Sequence, residues 1–297
     1  MLPKGLICPL LAPLKKNGEI DKNSFIRLWE SVRPFVAAIA VGSNFSLEGV
    51  YFTYEQKKAL FELALNLWDK KIPLFFDITT SDENSTFKLA HFTLKIIKNY
   101  FNHIIIEILP LWYRSNRGLP QHIDALRAKT KAIFILDNHP RLVQMRKKFL
   151  KHKNIRTAVF KKLTKRDFIK GMVFQGNLTR FLNYQRALHG RDFYFYEADE
   201  LAFLHQPTSD GVMTITANLI PELWQKIMKK NQDIFAIALA IEKLYQICHT
   251  HPGVIKWALM EKGIFSENYT PFPQPLTKKA IQRMKKWMNQ YIGGKDV

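Results

Sequence analysis

Cysteine is scarce in this chain of 297 residues, which holds only Cys8 and Cys248. Two cysteines make neither a disulfide framework nor a zinc-ligand spacing, and they fit a reducing compartment. Long apolar runs are missing as well, so no segment has the length that spans a bilayer. The opening residues 1–13 are apolar but interrupted by Pro3, Pro9 and Pro13, which suits a short strand better than a secretory segment. A soluble cytoplasmic protein without membrane contact is expected. Signature motifs are absent too: there is no Gly-x-Ser-x-Gly, no phosphate-binding P-loop and no HExxH. Among nine histidines the one close pair is His249 and His251, in a turn-like His-Thr-His-Pro without nearby carboxylates. Such a pair reads as surface rather than as ligands. No metal site and no cofactor are expected.

Acids are the other deficit. Asp and Glu number 25 against 45 Lys and Arg, a formal charge of +20. Residues 141–170 carry twelve Lys or Arg and a single acid, Asp167. Such a stretch offers a surface to nucleic acid or another polyanion. No recognition motif accompanies it, and solvated helix faces are the simpler reading.

What is present is a regular alternation. Short β-rich runs fall at residues 5–11, 36–41, 73–78, 103–109, 132–136, 168–174, 193–196 and 211–216. Helical patterns separate them, at 21–32, 53–68, 85–100, 119–129, 142–166 (one or two helices), 179–188, a short one from 201, and 221–229. Eight alternating units mean parallel pairing with right-handed crossovers, and eight close into an α/β TIM barrel. The barrel is expected over 1–231, with a C-terminal helical extension over 232–297. Asp77 then lies at the mouth by position, at the end of the third strand.

A series of motifs follows the same order. Residues 5–21 read GLICPLLAPLKKNGEID. Gly42-Ser43-Asn44 is followed by Glu48 and then Tyr54-Glu55. Further on come Pro110-Leu111-Trp112-Tyr113, Asp137-Asn138-His139-Pro140 and Gly176-Asn177-Leu178-Thr179-Arg180. Glu197-Ala198-Asp199-Glu200, Gly211-Val212-Met213-Thr214-Ile215-Thr216-Ala217-Asn218 with Pro221, and Val254-Ile255-Lys256-Trp257-Ala258-Leu259 complete it. In order and spacing the chain resembles the dihydrodipicolinate synthase / N-acetylneuraminate lyase family almost end to end.

The resemblance implies class I lyase chemistry. A lysine at the end of strand six forms a Schiff base with pyruvate or another 2-oxo acid. A tyrosine after strand five moves the proton, and the loop after strand two binds the carboxylate. This chain departs from the pattern at those positions. Counting back from Gly176 puts Met172 at the lysine position, and a thioether forms no imine. Lys170, two residues earlier on the same strand face, is the candidate replacement; Lys161 fits the motif more crudely. Asp137 stands at the tyrosine position, with Tyr113 or a retuned Asp137 as substitutes. Phe45 replaces the loop glycine after Ser43 and Asn44, and Arg141 is the nearest arginine to the family's own. The expected substrate-binding set is Ser43, Asn44, Asp137, Met172, Ala198 and Met213. The resemblance also implies a homo-oligomer, dimer or tetramer, with Trp112 and Tyr113 at its tight interface.

Three readings stand at this point. The first is a divergent member with weak, altered or absent lyase activity. The second is an active lyase on a 2-oxo acid that uses Lys170. The third is a polyanion-binding protein built on residues 141–170.

Overall fold

The strands are apolar on both faces because both faces are covered, as parallel sheets require. The computed structural model describes residues 2–97, 100, 103–146, 152–205, 209–229, 234–249 and 251–292. Strands β1 (Gly5–Leu10), β2 (Ala38–Val41), β3 (Leu74–Asp77), β4 (Ile104–Ile108), β5 (Ile133–Asn138), β6 (Ile169–Phe174), β7 (Tyr194–Glu197) and β8 (Gly211–Met213) pair in sequence order. β8 pairs back onto β1, so the expected TIM barrel closes. Around and after the strands run α1 (Lys22–Val32), α2 (Tyr54–Leu67), α3 (Glu83–Ile96), α4 (Leu119–Thr130), α5 (Pro140–Arg146), α6 (Thr157–Leu163), α7 (Leu178–Leu188), α8 (Glu200–His205) and α9 (Pro221–Met228). Three more follow: α10 (Ile234–Cys248), α11 (Gly253–Glu261) and α12 (Lys278–Tyr291). The expected boundary at 231/232 lies outside the described residues.

Helix starts are capped by the residue types that favour such ends. Asp21, Asp82, Asn177 and Thr277 each accept a backbone N–H of the first turn. Thr53 and Gln56 form a reciprocal capping box at the start of α2. α12 presents Lys278, Lys279, Arg283, Lys285 and Lys286 without one acid, and it buries Met284 and Trp287 on the opposite face. Trp287 Nε1 donates to the carbonyl of Ala240 at 2.9 Å, which ties α12 to α10.

Two buried clusters separate the two sides of the sheet. The lumen holds Ile7, Ala38, Ala40, Phe75, Ile105, Ile135, Val173, Tyr196 and Met213. The shell between sheet and helices holds Cys8, Ile39, Phe76, Ile106, Leu136, Met172 and Phe195 with residues of the outer helices' inner faces. At the N-terminal end of the barrel Leu2 enters the lumen, and Tyr196 donates to the carbonyl of Pro3 at 2.7 Å.

β6 carries an irregularity. Phe134 pairs with Ile169 and the next residue, Ile135, pairs with Gly171, which leaves Lys170 as the extra residue of a bulge. Past the bulge Gly171 and Val173 face the lumen, and Met172 faces the helices. A Cβ on Gly171 would stand 3.0 Å from the carbonyl oxygen of Tyr194 and 3.2 Å from Leu2, so any side chain here would push its neighbours aside.

Other departures from expectation are local. In the stretch 142–166, read as one or two helices, the described residues form two short ones, α5 and α6, and residues 147–151 lie outside the described set. β8 stops at Met213, because the Thr214 side chain caps a one-turn helix over Ile215–Asn218. α3 ends at Ile96, short of residue 100.

Candidate active site

The C-terminal strand ends bring three carboxyl groups together. Phe75 and Ile105 face the lumen, so Asp77 and Glu107, two residues further along β3 and β4, face it too. Asp137 follows Ile135 on β5 in the same way. Carboxylate oxygens of Asp77, Glu107 and Asp137 lie within 4.8 Å of one another, and all three residues are completely buried. The loop after β2 closes over them. Ser43 Oγ donates to Glu107 Oε1 at 2.5 Å. The Asn44 backbone N–H donates to Asp77 Oδ2 at 2.7 Å, and its side-chain amide donates to Asp137 Oδ2 at 3.1 Å. Thr79 N–H donates to Asp77 Oδ1 at 2.7 Å.

One cation answers this charge. Lys57, from α2, is fully buried and donates to the carbonyls of Gly42 at 2.8 Å and Asp77 at 2.7 Å. Its Nζ is 3.6 Å from Asp77 Oδ1. Burial pulls its pKa down, against the opposing pull of Asp77, Glu107 and Asp137. Burial raises the Asp77 carboxyl, with Lys57 opposing. Burial and then the Asp77 charge push Glu107 up to about 8. Burial, Glu107 and Asp77 raise Asp137 well above the usual carboxylate range.

Above this layer the mouth is filled. The Phe45 ring stacks on His139 with centroids 4.8 Å apart and planes 20° apart. Among the described residues, a cavity of about 30 Å³ there is lined by Phe45, His139, Arg141, Gln175, Ala198 and Met213, among others. A space of that size admits one or two waters. Burial, helped by Arg141, pushes His139 down to about 3, so its imidazole is neutral. Arg141 donates to the carbonyl of His249 at 2.6 Å. On the far side Glu200 is fully buried and accepts from the hydroxyls of Thr214 and Thr216. Its carboxyl is pushed by burial up to about 7. Behind the loop, Lys256 of α11 meets Glu48 at 2.6 Å, and both are fully buried.

Ser43, Asn44 and Asp137 therefore converge in one layer, and Ala198 and Met213 border the small cavity above it. Met172 does not join them: it packs in the shell, and Val173 holds the lumen position beside Asp137. Lys170 sits in the bulge at the start of β6, half-buried, at the barrel end away from these carboxylates. The inward placement of Met172 and Lys170 is thereby corrected: the bulge breaks the alternation on which it rested. Lys161 is exposed on α6. The Tyr113 hydroxyl donates to the carbonyl of Thr80 at 2.6 Å and meets Thr86 Oγ1, so it is turned toward α3 rather than into the lumen. Trp112 is buried within the chain, under the Arg146 guanidinium 4.5 Å from its ring centroid. Of the basic stretch 141–170, Arg141, Arg146 and Arg166 are engaged inside the chain, the last with Asp124. Residues 147–151 of that stretch lie outside the described residues.

The sequence model of the Dihydrodipicolinate synthetase family matches residues 2–291. The chain belongs to this family. Its relatives are distant. The 4-hydroxy-tetrahydrodipicolinate synthase of Wigglesworthia glossinidia brevipalpis is 23% identical over 305 aligned positions, with 96% of each chain covered. That of Shewanella denitrificans is 25% identical over 286 positions, covering 91% of this chain and 92% of its own. Among solved structures, the 4-hydroxy-tetrahydrodipicolinate synthase of Methylacidiphilum fumariolicum SolV superposes with a TM-score of 0.80 at 20% identity, covering 97% of this chain and 95% of its own. N-acetylneuraminate lyase from Fusobacterium nucleatum gives 0.78 at 19% identity, covering 97% and 98%. These likenesses show the shared barrel of the family. Among the described residues, no helix is long and apolar enough to cross a membrane.

Sequence reasoning singled out neither Glu107 nor Lys57. Both had a signal. Glu107 is the one charge in the apolar run Ile104–Ile108, a strand covered on both faces. Lys57 shares the buried stripe of α2 with Leu60, Phe61 and Ala64, at helical spacing.

Proposed function

We propose that this chain keeps the family's barrel without its imine chemistry. The observation that carries the reading is the occupant of the strand-six position at the mouth. Val173 faces the lumen beside Asp137, and Met172 faces the helices. Neither side chain forms an imine. Two further observations support it. Among the described residues the fully buried lysines are Lys57 and Lys256. The ammonium of Lys57 is held by two backbone carbonyls, and that of Lys256 by Glu48 and the carbonyl of Tyr269. Among the described residues, the cavity beside the stacked Phe45 and His139 is about 30 Å³, too little for a three-carbon 2-oxo acid.

The test is intact mass after incubation with pyruvate and sodium borohydride. The expected result is an unchanged mass for the folded chain. A gain of one reduced pyruvate imine, lost in Lys170→Ala or in Lys57→Met, would restore the reading as an active lyase and name its lysine.

A further inference from the structure

Among the described residues, the lumen holds more negative charge than its one lysine answers. Asp77, Glu107 and Asp137 come from three neighbouring strands and are completely buried. Against them stands Lys57, which leaves two negative charges if all three carboxyls are ionised. Buried charge persists when it is paired or coordinates a metal. Lys57 has turned its hydrogen bonds toward the carbonyls of Gly42 and Asp77.

A second observation comes from outside the acids. Buried polar atoms nearly always have partners, and an orphan calls for an explanation such as an ion. Asn44 is fully buried, and its amide reaches Asp137 through Nδ2, yet its Oδ1 has no hydrogen-bond partner. Glu107 and Asp137 meet side chain to side chain, a contact that two ionised carboxylates keep only with a proton or a cation between them.

We propose that Asp77, Glu107, Asp137 and the side-chain oxygen of Asn44 form a site for one hard divalent cation, of the Mg²⁺, Mn²⁺ or Ca²⁺ class. The donors are all oxygens, the set such ions take. No thiolate and no imidazole belongs to it, which disfavours zinc and copper. The charge selects a divalent ion, because three carboxylates and one ammonium sum to two negative charges. The size fits as well. Opposite oxygens on an ion with bonds of ~2.1–2.4 Å lie ~4.2–4.8 Å apart, and the carboxylate oxygens here lie within 4.8 Å of one another. Under Phe45 and the loop after β2 the ion is structural. It ties the ends of β3, β4 and β5 to Asn44, and Lys57 remains as the inner counter-charge.

The site is closed, so the test loads it during folding. The full-length, tag-free chain is unfolded in guanidinium, then refolded either with Mn²⁺ or with a chelator. After removal of free metal, bound manganese is counted by inductively coupled plasma mass spectrometry, and both samples are melted. The expected result is about one ion per chain and a higher Tm for the loaded sample. Glu107→Gln and Asp137→Asn, checked for folding by circular dichroism, are each expected to lower affinity roughly tenfold or more. Asp124→Asn, at the exposed ion pair with Arg166, is expected to leave binding unchanged. A folded natural chain that holds no stoichiometric manganese and melts at the same temperature in chelator overturns the proposal, whatever the variants do. In that case the cluster carries shared protons instead. Metal counting reads the carboxylates and borohydride trapping reads lysines, so this inference and the loss of imine chemistry stand or fall separately.

Discussion

Glu200 shows what burial does to a single carboxyl. It rests on two threonine hydroxyls with no cation paired to it among the described residues, and burial pushes its pKa up to about 7 against an ordinary 4.5. A raised acid favours the protonated folded state. Its contribution is complete below the unfolded value of 4.5 and is lost as pH climbs through 7. The loss is on the order of 3 kcal/mol. Glu200→Gln keeps acceptor and donor but cannot ionise. Urea unfolding at pH 5 and pH 8 is expected to show a smaller fall in stability for the variant than for the natural chain, since Glu107 still titrates over this range in both; equal falls in both chains would refute the assignment. Lys57 makes the opposite case. Lys57→Met leaves a buried carboxylate uncompensated and is expected to cost about 3–5 kcal/mol in chemical denaturation. At this scale the sequence was partly legible. Ser43, Asn44 and Asp137 were placed by motif position. Glu107 and Lys57 were not, because a lone charge in an apolar stretch becomes meaningful only when neighbouring strands bring partners to it.

Elements were easier to read than residues. The eight strands and most helices follow from periodicity and end signals. Thr53 and Gln56 make one such signal, and Thr53→Ala is expected to destabilise by about 1 kcal/mol, measurable as a lower urea midpoint at unchanged slope. The bulge in β6 was not legible. It arises from pairing with β5 across some thirty residues of chain, and no local pattern encodes it. Gly171→Ala probes it: the added methyl meets the carbonyl of Tyr194 and the Leu2 side chain, and a loss of about 1–3 kcal/mol is expected. The pair between Glu48 and Lys256 is likewise an element-scale device. It pins α11 to the segment after β2, so the helices beyond the barrel help hold the lid over the lumen.

For the whole molecule the barrel was legible because eight repeats of strand and helix leave few alternatives, and the order of family motifs agreed with it. For the chemistry, the sequence offered departures from the family motifs, on which the proposed loss of imine chemistry rests. Met172 at the lysine position came from counting, and the structure assigns the lumen to Val173 instead. The formal charge of +20 also acts at this scale. Self-repulsion of like charges opposes the compact state, and salt screens it. Thermal melts in rising sodium chloride are expected to shift upward; a flat or falling Tm would show that the cations are locally balanced.

The bulge at Lys170 has a consequence for how the chain can change. An inserted residue exchanges the two sides of a strand, so selection at positions 172 and 173 answers to different neighbours. Met172→Lys would put an ammonium in the apolar shell between sheet and helices and is expected to destabilise the chain, read as a lower urea midpoint. Val173→Lys reaches the lumen but arrives beneath Phe45. On the proposed reading, a lysine facing the lumen from β6 belongs at position 173, and it needs space made under Phe45 as well.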